Sequence, residues 1–170
     1  MQRVYGDGCC LFRCLSYQLF GSEDHHLSVR FLLQRFENLN KSLFDKYLTS
    51  VNKPTIDAHV HHIGQLATWG THIELMAAAT YFQPSVYYSS RNEDTNEFRW
   101  RCIKPLKALS NVRLPLIVDD PLADITVPHH FELVYTTGLH YDCAVLESTN
   151  TISEEPPPVN VDQTSSYTVL

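Results

Sequence analysis

Residues 5–21 read YGDGCCLFRCLSYQLFG, and this stretch decides the fold prediction. It opens with a tight-turn dipeptide, Asp7-Gly8, and continues as a helical pattern in which leucine recurs every four residues. Gly21 stands where a helix would end in a left-handed cap. The stretch therefore predicts a helix over residues 10–20 that begins at Cys10.

A cysteine at the start of a helix has the chemistry of a nucleophile. The N–H groups and the positive dipole end of the helix favour a thiolate at Cys10, and the thiolate is the reactive form. The base for this thiol is expected in residues 138–146, GLHYDCAVL, which end in a strand pattern. His140 and Asp142 share one face of such a strand, so the carboxylate can hold the imidazole in the tautomer that accepts the thiol proton.

Four segments of the sequence resemble one known family, in the same order along the chain. GDGCCLFR (6–13) resembles the DGxCLFR signature of the ovarian tumour (OTU) domain cysteine proteases, and HYD (140–142) resembles their catalytic-histidine motif. The other two segments are FGSEDHHLSVR (20–30) and TWGTHIELMAAA (68–79). The resemblance covers residues 3–147. It implies a papain-like OTU fold of class α+β, with a small mixed β-sheet packed by helices and the nucleophile at a helix N-terminus.

The family pattern also assigns roles around the nucleophile. The reactive cysteine stands directly before Leu-Phe, which selects Cys10 over Cys9. The resemblance supports Asp7 as part of the active site, where it is also expected to satisfy its own turn. The backbone N–H groups of Asp7, Gly8, Cys9 and Cys10 are then the expected oxyanion hole. Cys14, one helical turn after Cys10, is expected in the core.

The two neighbours of His140 have two interpretations that the sequence leaves open. Leu139 and Tyr141 either wall the channel that admits the substrate or are ordinary turn and strand residues. The first interpretation makes them substrate-contacting residues, whereas the second makes them part of a hairpin.

Helix signals dominate the middle of the chain. A second helix is expected to begin near residues 22–24. Thr71 and Glu74 have the spacing of a capping box and predict a helix over His72–Phe82 that Pro84 ends. The predicted inward face of the second helix consists of Leu27, Phe31, Leu32 and Phe36, and shorter helices are expected at 42–48 and 56–66.

Strand signals follow the helices. Alternation of apolar and polar residues and short apolar runs predict strands at 85–88, 98–103, 116–118, 131–135 and 140–147, with hairpin loops at 89–96 and 136–139. Helices first and strands afterwards predict an α+β domain. Residues 1–148 are expected to form this cysteine protease domain. Residues 149–170 are rich in Ser, Thr, Pro and acidic residues, which predicts a disordered C-terminal tail.

Composition excludes several classes of partner. The 170-residue chain has a formal net charge of −6, and its Lys and Arg residues are scattered, which argues against nucleic acid. It has no apolar run of membrane-spanning length and no signal-peptide pattern, so no membrane partner is expected. The five cysteines are odd in number and lack a CxxC pair. They fit a reducing compartment, with the cytoplasm expected and the nucleus left open.

No metal and no organic cofactor is expected. His59, His61 and His62 are close in sequence, but no acidic residue or cysteine stands beside them at zinc-ligand spacing. These histidines are therefore predicted to be surface residues.

The resemblance implies a deubiquitinase, because most members of the family are deubiquitinases. The implied reaction is thiol-dependent hydrolysis of the isopeptide or peptide bond after the C-terminal glycine of ubiquitin, of polyubiquitin chains or of a ubiquitin-like protein. Two alternatives stay open at this point. One is an inactive OTU-like module that binds ubiquitin without cutting it, and the other is a polyprotein-processing cysteine protease of a viral or mobile element.

Overall fold

Helix α1 spans Cys10–Phe20, the range that the sequence predicts. Gly21 ends it with φ of 72° and donates its N–H to the Tyr17 carbonyl at 2.7 Å. This is the left-handed cap that a glycine allows without steric cost. The computed structural model describes residues 1–91, 97–107, 127–136 and 140–144.

The remaining helices follow in one block, before the strands. They are α2 (His26–Leu39), α3 (Lys41–Phe44) with a 3-10 turn at Asp45–Val51, α4 (Ile56–Ile63) and α5 (His72–Phe82). The capping box at the start of α5 is confirmed, with the Thr71 and Glu74 side chains bonded reciprocally to the first backbone N–H groups. The bounds of α5 agree with the prediction because both of its ends are encoded locally.

The inward face of α2 differs from the prediction. Leu27 and Phe31 are 37% and 48% exposed, so these two residues were wrongly assigned to the core. The buried stripe includes an arginine and a glutamate and consists of Val29, Arg30, Leu32, Leu33, Phe36 and Glu37. Two charged residues on an inward face cannot be recognised by hydrophobic periodicity, which is why the face was misplaced.

The strands form one mixed four-stranded sheet. They are β1 (Ser85–Arg91), β2 (Phe98–Ile103), β3 (His130–Thr136) and β4 (His140–Cys143), in the order β2-β1-β3-β4. The pairs β1–β2 and β3–β4 are antiparallel, whereas β1–β3 is parallel. The α+β class and the mixed sheet are therefore confirmed. Beyond the sheet, Gln2 forms a two-way backbone bridge with Cys143.

Helix α1 lies in the centre of the fold, between α2 and strand β4. Leu11, Phe12, Cys14 and Leu15 are fully buried, so Cys14 is a core residue as expected. This packing places the first helix, α1, against the last described strand, β4.

Within the described ranges, no helix is long and apolar enough to cross a membrane.

Several predicted features fall outside the described residues. These are the strand at 116–118, residues 92–96 of the first hairpin loop, residues 137–139 of the second, the strand beyond residue 144 and the tail at 149–170. The domain boundary near residue 148 stays a prediction.

Candidate active site

Cys10 is the first residue of α1 and is 1% exposed. Its sulfur lies against strand β4, where the backbone N–H of Tyr141 approaches Cys10 Sγ at 3.4 Å. Tyr141 directly follows His140, so this contact brings the predicted nucleophile to the strand that carries the predicted base.

His140 and Asp142 form the pair that the strand spacing predicts. His140 Nε2 lies 3.0 Å from Asp142 Oδ1, and the same oxygen accepts the backbone N–H of Val4 at 3.2 Å. Asp142 is 5% exposed. With the Nε2 hydrogen directed to the carboxylate, Nδ1 carries the lone pair that can accept a proton. The Nδ1 edge of the ring packs over Gly6, where an added Cβ would lie 3.6 Å from Nδ1.

Burial raises the pKa of the Cys10 thiol, against hydrogen bonds from the backbone N–H groups of Tyr141 and Leu11 that lower it. The helix end was expected to favour the thiolate, but burial outweighs it in this geometry. A thiol that is protonated at neutral pH needs a base to become a nucleophile. A base is therefore required, and His140 is the predicted one.

Asp7 closes the turn in front of α1. Its Oδ1 accepts the Cys9 N–H at 2.9 Å, as expected for an aspartate that satisfies its own turn. Sequence reasoning missed its second partner, Arg13, whose Nη2 lies 2.7 Å from Asp7 Oδ2. The Arg13 guanidinium lowers the pKa of Asp7 to about 2. Arg13 also pairs with Glu23 at 3.3 Å, which ties the turn to the segment before α2.

The Asp7–Cys9 bond bears on the predicted oxyanion hole. The Cys9 N–H donates to Asp7, so in this structure it is directed to the carboxylate rather than toward a substrate. The N–H groups of Asp7, Gly8 and Cys10 stay the predicted donors.

Arg30 of α2 binds the loop that precedes Cys10, and its role was not predicted from the sequence. Its side chain is fully buried and lies over the Phe12 ring, with its guanidinium carbon 4.1 Å from the ring centroid. It donates to the carbonyls of Gly8 at 3.2 Å and Thr68 at 2.6 Å, and to Cys9 Sγ at 3.3 Å. Further bonds run to the carbonyls of Ile63 and Gln65. Arg30 thus joins the nucleophile loop to the connection between α4 and α5.

Gly8 makes the close contact between these two segments. Its φ is 83°, and an added Cβ would lie 2.2 Å from the Ala67 carbonyl oxygen. Only glycine combines this conformation with this approach.

Of the two interpretations left open for Tyr141, its position agrees with that of an ordinary strand residue. Strand alternation turns its ring away from His140 and into the core, where it is 7% exposed and stacks near Tyr135 at 5.0 Å between centroids. Burial raises the pKa of its phenol. Its contact with the site is through the backbone. Leu139 lies outside the described residues.

His59 was predicted to be a surface residue, and this is wrong. It is 1% exposed and faces two buried carboxylates, Glu37 and Glu74. The sequence gives no sign of this, because the three residues come from α2, α4 and α5. His61 and His62 are exposed, as predicted.

A cysteine at the start of a helix, next to a strand that carries a His140–Asp142 pair, is consistent with a thiol hydrolase of the papain-like class. Residues 5–141, most of the chain, match the family described as OTU-like cysteine protease, and the protein belongs to this family.

Curated relatives carry the same domain in longer chains. The protein is 32% identical over 93 residues to OVARIAN TUMOR DOMAIN-containing deubiquitinating enzyme 12 of Arabidopsis thaliana, a match that covers 55% of this chain and 41% of the relative. It is 29% identical over 99 residues to OTU domain-containing protein 5-A of Danio rerio, covering 58% of this chain and 17% of the relative. The match therefore spans less than half of either relative.

Solved OTU domains share the fold. The Hazara virus OTU bound to ubiquitin has a TM-score of 0.60 at 14% identity, covering 86% of this chain and 80% of the other. An OTU deubiquitinase from Wolbachia pipientis wMel, also bound to ubiquitin, has a TM-score of 0.59 at 16% identity, covering 84% and 92%. At such identities the likeness establishes the fold alone.

Proposed function

We propose that this protein is a cysteine-type deubiquitinase that hydrolyses the bond after the C-terminal glycine of ubiquitin or a ubiquitin-like protein. The observation that carries the proposal is the contact of Cys10 with β4. Cys10 Sγ lies 3.4 Å from the backbone nitrogen of Tyr141, and on the same strand His140 Nε2 lies 3.0 Å from Asp142 Oδ1. The names of the Arabidopsis relatives and the ubiquitin-bound OTU structures support the choice of substrate.

The proposed mechanism uses side chains and backbone only. His140 Nδ1 takes the Cys10 proton, and the thiolate attacks the carbonyl carbon of the scissile bond. Backbone N–H groups of the Asp7–Cys10 loop stabilise the oxyanion of the tetrahedral intermediate. His140 then protonates the leaving amine, and water, deprotonated by the same imidazole, hydrolyses the thioester and restores the thiol.

We also propose that the enzyme works in a reducing, intracellular compartment. All five cysteines lie in the described residues, and none of them is in a disulfide. Oxidation of Cys10 would remove the proposed nucleophile, so its chemistry requires reducing conditions.

A ubiquitin probe with a C-terminal electrophile tests the proposal. We expect one covalent adduct per chain, mapped by peptide mass spectrometry to Cys10. The Cys9→Ala variant is the matched control and should still be labelled, because the neighbouring sulfur is not the nucleophile. Cleavage of diubiquitin should be lost in Cys10→Ala.

The outcomes separate the remaining alternatives. Binding of ubiquitin without labelling would identify an inactive binding module. Labelling at Cys9 would overturn the assignment of the nucleophile. Cleavage of a peptide substrate with no turnover of ubiquitin or ubiquitin-like conjugates would identify a processing protease instead.

A further inference from the structure

Three ionisable side chains from three helices meet in the core, away from the residues of the candidate active site. They are Glu37 of α2, His59 of α4 and Glu74 of α5, and each is at most 1% exposed. His59 Nε2 lies 2.6 Å from Glu74 Oε1 and 3.4 Å from Glu37 Oε2. One ligand atom from each residue falls within 4.8 Å of the other two.

The bonding within this cluster is incomplete. Glu74 is satisfied, since Oε1 faces His59 and Oε2 accepts from the backbone and side chain of Thr71. Glu37 is not: among the described residues, neither of its oxygens has a hydrogen-bond partner, although it points at His59. A buried carboxylate without a partner carries a large desolvation penalty and calls for an explanation.

The charges in the cluster are also unequal. Two carboxylates share one imidazole, and no Lys or Arg in the described part of the chain lies within ion-pair distance of either. A cation between the three side chains would satisfy both the charge and the unpaired oxygens.

We propose that Glu37, His59 and Glu74 bind a divalent transition-metal ion, with Zn²⁺ as the best match. Imidazole nitrogen and carboxylate oxygen are both zinc ligands at about 2.0–2.2 Å, and three protein ligands with a water form a common four-coordinate site. Mg²⁺ and Ca²⁺ prefer ligand sets made only of oxygen, so the histidine disfavours them. Binding would replace the Nε2 hydrogen and would require His59 Nε2 and Glu74 Oε1, now 2.6 Å apart, to separate, because two ligands at about 2.0–2.2 Å from one ion lie farther apart than that.

The position of the site indicates a structural role. It joins α2, α4 and α5 at one point, and Glu37 lies two helical turns after Arg30, the residue that holds the nucleophile loop. The inference is independent of the proposed reaction, because none of its three ligands takes part in it.

A second grouping, Asp7, Cys9 and His26, also places its ligand atoms close together. There both Asp7 oxygens bind Arg13, and Arg30 donates to Cys9 Sγ. Two guanidinium groups already occupy these ligands and repel a cation. This grouping therefore serves as the control site.

The test uses the full 170-residue chain with Cys10→Ala, so that the proposed nucleophile cannot bind the ion. After removal of metal with a chelator, the protein is titrated with Zn²⁺ and separately with Co²⁺. We expect one equivalent of Zn²⁺ to be retained through gel filtration, a higher melting temperature, and the intense visible absorption of four-coordinate Co²⁺.

Variants assign the site. Glu37→Gln and His59→Gln should each weaken Zn²⁺ binding by at least about tenfold and abolish the Co²⁺ spectrum. His61→Gln, at an exposed position of α4, and His26→Gln, in the control site, should bind like the parent. Because the parent protein's own Co²⁺ spectrum and stoichiometry are decisive, the test does not depend on folding of the variants. No retained metal in the parent, or binding lost in His26→Gln or His61→Gln, would overturn the proposal and leave a buried ion triad only.

Discussion

One oxygen of Asp142 serves two groups, since Oδ1 contacts His140 Nε2 and accepts the Val4 N–H. We expect Asp142→Ala to lower kcat/KM by about 10- to 100-fold and His140→Ala by about 1000-fold or more. The base is needed for proton transfer, whereas the carboxylate orients it. Steady-state cleavage of a fluorogenic ubiquitin substrate measures both.

Asp142→Asn is the control for this comparison. It keeps an oxygen that can accept from Val4 but removes the charge that stabilises an imidazolium. Its melting temperature should stay near that of the wild type while its activity falls. Full activity in Asp142→Ala would remove Asp142 from the site.

Gly8 and Gly21 both have positive φ, but only one of them is crowded. Gly21→Ala meets no atom within 4 Å, so it should cost about 1 kcal/mol of stability with activity retained. Gly8→Ala would drive Cβ into the Ala67 carbonyl and shift the nucleophile loop. We expect a loss of about 100-fold in kcat. Chemical unfolding and probe labelling of the two variants give the comparison, and equal activities would show that the loop position does not matter.

Asp7 makes the turn sensitive to acid. Its pKa in the fold is about 2 instead of the ordinary 3.8, so its contribution to stability is present above about pH 4 and is lost as the pH falls toward 2. Asp7→Asn should be less stable than the wild type by about 1 kcal/mol at pH 6, and the difference should shrink at pH 3. Urea unfolding at a series of pH values measures it. A difference that does not change with pH would argue against the Arg13 pair as its source.

At the scale of elements, α2 connects the site to the rest of the fold through Arg30. Arg30→Met keeps the apolar stem over Phe12 but leaves the carbonyls of Gly8 and Thr68 without their donor. We expect a loss of about 2–4 kcal/mol of stability, together with lower kcat. The matched control is Arg35→Met at an exposed position of the same helix, which should change neither. Equal stability of the two variants would show that the buried bonds are not needed.

The ends of α1 and α5 were predicted correctly, whereas α2 begins at His26 rather than near residues 22–24 and α4 ends at Ile63 rather than at residue 66. Residues next to α1 and α5 in sequence set their ends. Gly21 ends α1, the capping box of Thr71 and Glu74 begins α5, and Pro84 follows the end of α5. Local backbone chemistry decides such ends, so the sequence alone is sufficient.

The buried face of α2 was not predictable in the same way. Arg30 and Glu37 are buried against groups from distant segments of the chain. Arg30 donates to the Thr68 carbonyl, and Glu37 faces His59. Periodicity treats both as surface charges, whereas tertiary contacts decide their position. The same limitation hid the ion pair between Asp7 and Arg13, whose residues were read only for their local roles.

At the scale of the whole molecule, the His140–Asp142 pair could be predicted, but the sheet order and helix packing around it could not. The spacing of His140 and Asp142 places them on one strand face by geometry alone. The approach of Cys10 to the strand of His140 was expected, because the base must reach the thiol, but the parallel pairing of β1 with β3 and the central position of α1 are not encoded in any local pattern.

Deleting residues 150–170 tests the predicted domain boundary. The composition of this segment offers few apolar side chains and three consecutive prolines, so we expect unchanged ubiquitin-chain cleavage and melting temperature. Differential scanning calorimetry and a cleavage assay compare the two chains. A fall of several degrees would show that the domain extends beyond residue 148.

The separation of the proposed nucleophile and base along the chain has a consequence during protein synthesis. Tyr141, beside the base, is 131 residues after Cys10. A ribosome that adds about 5–20 residues per second completes this interval in about 7–26 seconds. Throughout that time the nascent polypeptide carries Cys10 without His140. By the proposed mechanism, a nascent chain without β4 cannot attack conjugates near the ribosome, and a translation product that stops before β4 is inactive.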